Sequence, residues 1–233
     1  MFEKVLSSFG IGSAKVKTVL LNTNIERGMN VEGEVHITGG KAEQKISEIY
    51  IHIDSEFHNG DDDYTDFKDV IEPLLEIKIT NPLVINPHDK RIIPFSFEMP
   101  FYMPITFGIQ EVTIKTEVNI NHSLHDLVED HSVVVKDPLL EEIFSILEEK
   151  GYSHTFKSGQ CRHRKPDHHN PTHCLQTFTL TNSKGVSIHF VGNAKDIDLY
   201  ITEGKQVTHF PILREVDLPQ ILIEFGKRLP SIL

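Results

Sequence analysis

The stretch Ile49-Tyr50-Ile51-His52-Ile53 decides the fold. Apolar and polar side chains alternate with a period of two, so a strand places Ile49, Ile51 and Ile53 on one buried face, opposite Tyr50 and His52. The same alternation returns further along the chain, in Leu75, Ile77 and Ile79, in Ile93, Phe95 and Phe97, and in Ile114, Thr116, Val118 and Ile120. Turn residues punctuate these runs: Arg27-Gly28-Met29-Asn30, Gly39-Gly40, Asn59-Gly60-Asp61, Asn81-Pro82, Asn86-Pro87 and the Pro100 to Pro104 stretch. Short strands at this spacing, without helices between them, predict a β-sandwich rather than a parallel α/β sheet.

Working outward, the run ends at Val133-Val134-Val135-Lys136-Asp137-Pro138-Leu139, where a strand-like apolar segment meets an Asp-Pro pair. That pair marks a boundary between a first domain, 1–136, and a second, smaller one, 137–233. Asp137 is placed to cap the free amides of a helix over 139–150, and Pro138 fits the first helical position, where its missing N–H costs nothing. Glu141 and Glu142 fall in the first turn, Leu139, Leu140, Ile143, Phe144 and Leu147 form one apolar face, and Gly151 supplies the stop. Alternation then resumes in Phe178 and Leu180, in Val186, Ile188 and Phe190, and in Ile197, Leu199 and Ile201. The second domain therefore also reads as a small sandwich. Two further helices are expected, one over Asp217 to Lys227 and one carrying Phe2, Val5, Leu6 and Phe9, the latter docked on its own sandwich.

Composition narrows the function classes. The chain has 233 residues, 39% of them hydrophobic, so it can bury a core and is not globally disordered. No apolar run approaches the ~20 residues of a membrane-spanning helix, and the first twelve residues lack a signal-peptide core. A cytoplasmic location is expected. Only 2 cysteines occur, too few for a disulfide framework, which fits a reducing compartment. The net charge of −11 disfavours nucleic-acid binding. The acid is concentrated: residues 1–136 carry 12 basic and 22 acidic side chains, net −10, whereas 137–233 carry 11 and 12, net −1. Such a field favours a protein partner with a basic surface.

Chemistry-bearing residues cluster between His154 and Cys174. Cys161, His163, His169, His173 and Cys174 give Cys-x-His and His-x-x-x-His spacings, and thiolate with imidazole is a zinc-type ligand set. Neither cysteine has a Cys-x-x-Cys partner, and Arg162, Arg164, Lys165, Asp167, Asn170 and Pro171 are interleaved, as in a solvated loop. A metal-responsive protein using this loop is the alternative function, with zinc its one candidate cofactor. The acidic run Asp61-Asp62-Asp63-Tyr64-Thr65-Asp66 departs from an EF-hand loop at the glycine position and reads as a hairpin tip. The chain has no Gly-x-Ser-x-Gly elbow, no P-loop, no Gly-x-Gly-x-x-Gly after a strand and no His-Glu-x-x-His. No catalytic residues are assigned.

A family resemblance sharpens this. The opening Phe9-Gly10-Ile11-Gly12-Ser13-Ala14-Lys15-Val16-Lys17-Thr18-Val19-Leu20, then Gly28-x-x-Val31-x-Gly33-x-Val35-His36-Ile37-Thr38-Gly39-Gly40 and Gln44-x-Ile46-x-x-Ile49, resembles the bacterial sporulation-control family, SpoOM, of the arrestin-like clan. Ile93-Pro94-Phe95-Ser96-Phe97-Glu98-Met99-Pro100 with Pro104-Ile105-Thr106 is similar to the block that forms a Pro-Phe strand and Pro-bounded turn in arrestin-like domains. Arg27-Gly28 stands where the family usually has Pro-Gly. The resemblance implies an all-β chain of two arrestin-like β-sandwiches with a short connecting helix. It also implies no enzymatic activity and a regulatory or scaffolding role in sporulation control, exercised through protein–protein interaction.

Overall fold

The computed structural model of the chain describes residues 14–22, 24–58, 69–120, 127–168, 170–192, 194–215, 219–221 and 223. The expected N-terminal helix and the Asp61 to Asp66 run lie outside the described residues. Of the expected Asp217 to Lys227 helix, residues 219–221 and 223 are described; they are helical, with Ile221 buried.

Apart from those C-terminal residues, the described residues form an all-β fold with one short helix. The first half contributes β1 (Lys15–Leu20), β2 (Ile25–Glu26), β3 (Asn30–Thr38), β4 (Gln44–His58), β5 (Asp69–Lys78), β6 (Leu83–Ile85), β7 (Lys90–Glu98), β8 (Val112–Ile120), β9 (Leu127–Val133) and β10 (Val135–Lys136). Then come α1 (Pro138–Glu149), β11 (Ser153–His154), β12 (Cys161–His163), β13 (Cys174–Gln176), β14 (Phe178–Thr181), β15 (Ser187–Gly192), β16 (Asp196–Glu203) and β17 (Gln206–Leu213).

Strand β3 lies between β1 and β7 in one antiparallel sheet, while β4 is the hub of another that includes β8, β9, β5 and β6. Val31, Val35 and Ile37 of β3 share a single buried cluster with Ile49, Ile51 and Ile53 of β4 and Ile114 and Val118 of β8. Alternation in the sequence thus becomes two inner faces pressed together. A polar seam joins the sheets at one side, where the Thr18 amide donates to the Glu129 carboxylate and the Thr18 and Thr116 hydroxyls meet at 2.6 Å.

In β5 the expected inner face is kept and one residue is added to it. Leu75 and Ile77 stand opposite Ile53 and Ile51 and pack, partly buried, against the core, and the register slip between Ile53 and Asp54 leaves Leu74 as an extra, buried residue. Pro73 stands opposite Asp54 at that slip, a position where a strand tolerates a missing N–H.

The second half builds the antiparallel sheet β11-β14-β15-β16-β17, whose inner residues Leu180, Ile188, Phe190, Ile197 and Leu199 are buried. Helix α1 begins as expected: Asp137 accepts from the Leu140 amide, Pro138 opens the first turn, and Leu140, Ile143, Phe144 and Leu147 are buried. Gly151 turns the chain at φ +84°. Phe144 packs on Phe178 and Phe190 with ring centroids 4.9 and 5.3 Å apart. Phe107, from the first half, enters the same aromatic group, 5.3 Å from Phe178. Hairpin β12–β13 does not join this sheet. It extends the β4 sheet instead, through a parallel pairing of Arg162 with His58. No helix among the described residues is long and apolar enough to cross a membrane.

Candidate functional site at the junction of the two halves

The junction is assembled by backbone register. β2 pairs in parallel with β10, Ile25 opposite Val135 and Glu26 opposite Lys136, so the next residues, Arg27 and Asp137, come side by side. The Arg27 amide also donates to the Lys136 carbonyl at 3.0 Å. Gly28 then turns at φ +77° beneath Phe101; a Cβ there would lie 2.5 Å from the ring. Only glycine meets both demands without strain.

Asp137 is nearly inaccessible and faces two guanidiniums. Arg214, just past β17, donates to its two carboxylate oxygens at 3.0 and 2.7 Å, a bidentate pair, and lies over the Phe101 ring at 4.3 Å. Arg27 donates at 3.4 Å. Burial by itself would raise the Asp137 carboxyl, but the Arg214 hydrogen bonds and both positive charges hold it below its ordinary value. Burial lowers Arg27 to about 10, against the pull of Asp137, so it stays charged at neutral pH.

Two buried glutamines complete the junction. Gln176 donates to the carbonyls of Ile105 and Gly159 at 2.8 and 2.7 Å, and accepts from the Ile105 amide at 2.7 Å and from Arg27 at 3.1 Å. Gln110 donates to Ser55 Oγ and the Glu56 carbonyl and accepts from the Cys161 amide at 2.8 Å. Each amide ties residues far apart in sequence, and its burial is offset because its polar atoms are used. Beside this network lies a cleft of about 170 Å³, lined by Arg27, Phe101 and Tyr102 of the first half and by Gln176, Phe178 and Gly192 of the second.

The residues singled out as metal ligands that the structure describes lie on or beside the β12–β13 hairpin, where they form a buried thiol pair and an imidazole pair. Cys161 and Cys174 are buried and reduced, and hydrogen-bonded to each other. Burial, reinforced by that bond, pushes the Cys161 thiol up, which opposes the thiolate a metal requires. His163 is exposed and stacks on half-buried His173, ring centroids 5.2 Å apart. His169 lies outside the described residues. Among the described residues no three His, Cys, Asp or Glu side chains are grouped to hold a metal ion.

The stretch read as a solvated loop is ordered in part. Asn170 accepts from the Thr172 amide at 2.9 Å and donates to the Cys174 carbonyl at 2.7 Å, turning the chain between β12 and β13. Sequence reasoning gave Arg27 only as a turn residue and assigned no role to Gln110, Gln176 or Arg214. Asp137 was legible, but only as a helix cap.

Comparison with known proteins agrees with this architecture. The family model described as SpoOM protein matches residues 2–217. A curated relative, the sporulation-control protein spo0M of Bacillus subtilis (strain 168), is 30% identical over 151 residues, which take in 65% of this chain and 58% of the relative's length. The crystal structure of Spo0M from Bacillus subtilis superposes with a TM-score of 0.79 at 20% identity, covering 96% of this chain and all of that one.

Proposed function

The chain belongs to the SpoOM protein family, and on that premise we propose that it is a non-enzymatic, cytoplasmic regulatory protein that acts by contacting other proteins. Its two halves are of the arrestin-like sandwich type, divided at Lys136/Asp137, and they offer surfaces rather than a reacting centre. One observation carries this reading. On the face of β1, β3 and β7 opposite the buried Val31 and Val35, the alternation sets out Glu32, Glu34 and Glu98 together with Lys15, Lys17 and Lys90, within a half whose net charge is −10. The acidic surplus of this half accelerates encounter with a basic protein surface, an effect that weakens with salt.

The test is genetic. Replacing the native gene with one carrying Glu32→Lys, Glu34→Lys and Glu98→Lys leaves the core untouched and cuts the net charge of that half from −10 to −4. Development under sporulation conditions is expected to change as it does in a deletion strain, with the variant protein present at normal levels. Unaltered development in both strains contradicts the proposal.

A further inference from the structure

Among the described residues, three strands end their sheets with one flank unpaired: β7 beside β3, β17 beside β16 and β5 beside β4. Such a flank is a template on which another chain adds a strand, above all where the edge is long and apolar. β7 runs nine residues and carries Ile92, 59% exposed; β17 runs eight and carries Val207 and Leu213, 61% and 52% exposed.

The alternation of ladder bonds tells which backbone groups face outward. The Met99 amide donates to the Met29 carbonyl and the Gly39 amide to the Asp89 carbonyl, so Arg91, Ile93, Phe95 and Phe97 bond to β3 and Lys90, Ile92, Pro94, Ser96 and Glu98 turn away from it. In β17 the Arg214 amide donates to the Lys195 carbonyl, which by the same count turns Pro211 outward. In β5 the Ile79 amide donates to the Ile49 carbonyl, so Ile51 and Ile53 of β4 bond to β5 and Asp54 does not; Pro73, opposite Asp54, also faces out. Each of the three open flanks therefore lacks an outward donor part-way along, and a pyrrolidine ring stands where an incoming carbonyl would dock. Elsewhere side chains close the edge instead. Beside and on β1 the Ala14 and Thr18 amides donate to Gln44 and Glu129, and on β13 the Cys174 amide donates to the Thr172 hydroxyl.

The pattern of β7 names what is being kept off. Laid antiparallel on a second copy of itself about Pro94, the strand sets Lys90 opposite Glu98 and Ile92 opposite Ser96, so its charges favour the pairing. Only at the centre does it fail, where two prolines meet and both N–H bonds are lost. We propose that Pro94 keeps β7 from adding to β7 of a second copy of this chain, and that Pro211 and Pro73 close the other two open edges in the same way. The inference concerns self-association alone and does not depend on the proposed contacts with other proteins.

Sedimentation equilibrium of the full-length protein and its Pro94→Thr variant tests this. Threonine restores the donor, suits a strand and disturbs no bond to β3. Self-association of the variant is expected to be about tenfold tighter than the parent's, because each pairing regains two hydrogen bonds. Adding Lys90→Glu to Pro94→Thr sets a carboxylate opposite Glu98 at both ends and should return association to the parent's level. Ser96→Thr adds no donor and should leave it there. Amide exchange in the parent checks the edge without any variant, and decides if Pro94→Thr fails to fold. Ile92 and Ser96 should exchange fast at every protein concentration, whereas Ile93 and Phe95, bonded to β3, are protected. A folded Pro94→Thr that associates no more than the parent, an equal gain in Ser96→Thr, a gain that survives Lys90→Glu, or protection of Ile92 and Ser96 that rises with concentration would each overturn the proposal.

Discussion

Asp137 and Arg214, 77 residues apart in the chain, meet in a bidentate pair with oxygen–nitrogen distances of 3.0 and 2.7 Å. The same carboxylate caps α1 at the Leu140 amide. One side chain therefore starts the helix of the second half, receives the residue that follows its last strand, and lies beside Arg27 of the first half.

Asp137→Asn keeps the size and the capping oxygen but removes the charge. Arg27 and Arg214 then lose the carboxylate they share. The expected loss is about 3–5 kcal/mol of stability, measured by urea denaturation of variant and parent. A loss below about 1 kcal/mol, the scale of a surface pair, would show that the cluster is not energetically buried.

Gln176→Leu preserves bulk and deletes four hydrogen bonds. The Ile105 N–H and C=O and the Gly159 C=O lose their side-chain partner. A destabilisation of about 2–4 kcal/mol is expected from stranded groups, with faster amide exchange at Ile105 as the local signature.

At Gly28, alanine faces both a left-handed backbone and the Phe101 ring. Gly28→Ala should cost more than about 1 kcal/mol. It should also displace Phe101 from beneath Arg214, visible as a change in the Phe101 ring resonances.

The contrast between what was and was not legible follows from the range of the interactions. Alternation in Ile49, Ile51 and Ile53 and the Asp137-Pro138 start of α1 are local signals, and both are realised. Leu74 enters the core beside Leu75 because of a register slip at Pro73, which no period of two anticipates. Cys161 and Cys174 looked like loop residues since β12 and β13 have only three residues each, too short to display a period. Arg27, Gln110, Gln176 and Arg214 are polar residues whose burial is set by partners 17 to 149 positions away. A single sequence carries no local trace of such pairings.

His154 packs among Phe107, Phe144 and Phe178 and bonds Ser158 through Nδ1 at 2.7 Å. Burial lowers its pKa, against a smaller opposing pull from Glu148. The folded state thus favours the neutral ring. That contribution is complete above the unfolded value near ~6.5 and is lost as pH falls from there towards the lower folded value. His189 is shifted the same way by burial and Arg162, whereas His131 is raised, mainly by the Glu129 carboxylate 3.4 Å away. The difference between parent and His154→Phe isolates one group: parent stability should fall more steeply than the variant's between pH 7 and 5, by denaturant titration.

The claim that this chain works by displaying a charged face to protein partners is tested most directly by affinity capture from its own cells. The full-length protein and the Glu32→Lys, Glu34→Lys, Glu98→Lys variant are captured in parallel at low and high salt. The account predicts a defined partner retained by the parent at low salt, released at high salt, and lost from the variant. Recovery of the same proteins by parent and variant at both salt concentrations, or of none by either, would contradict it.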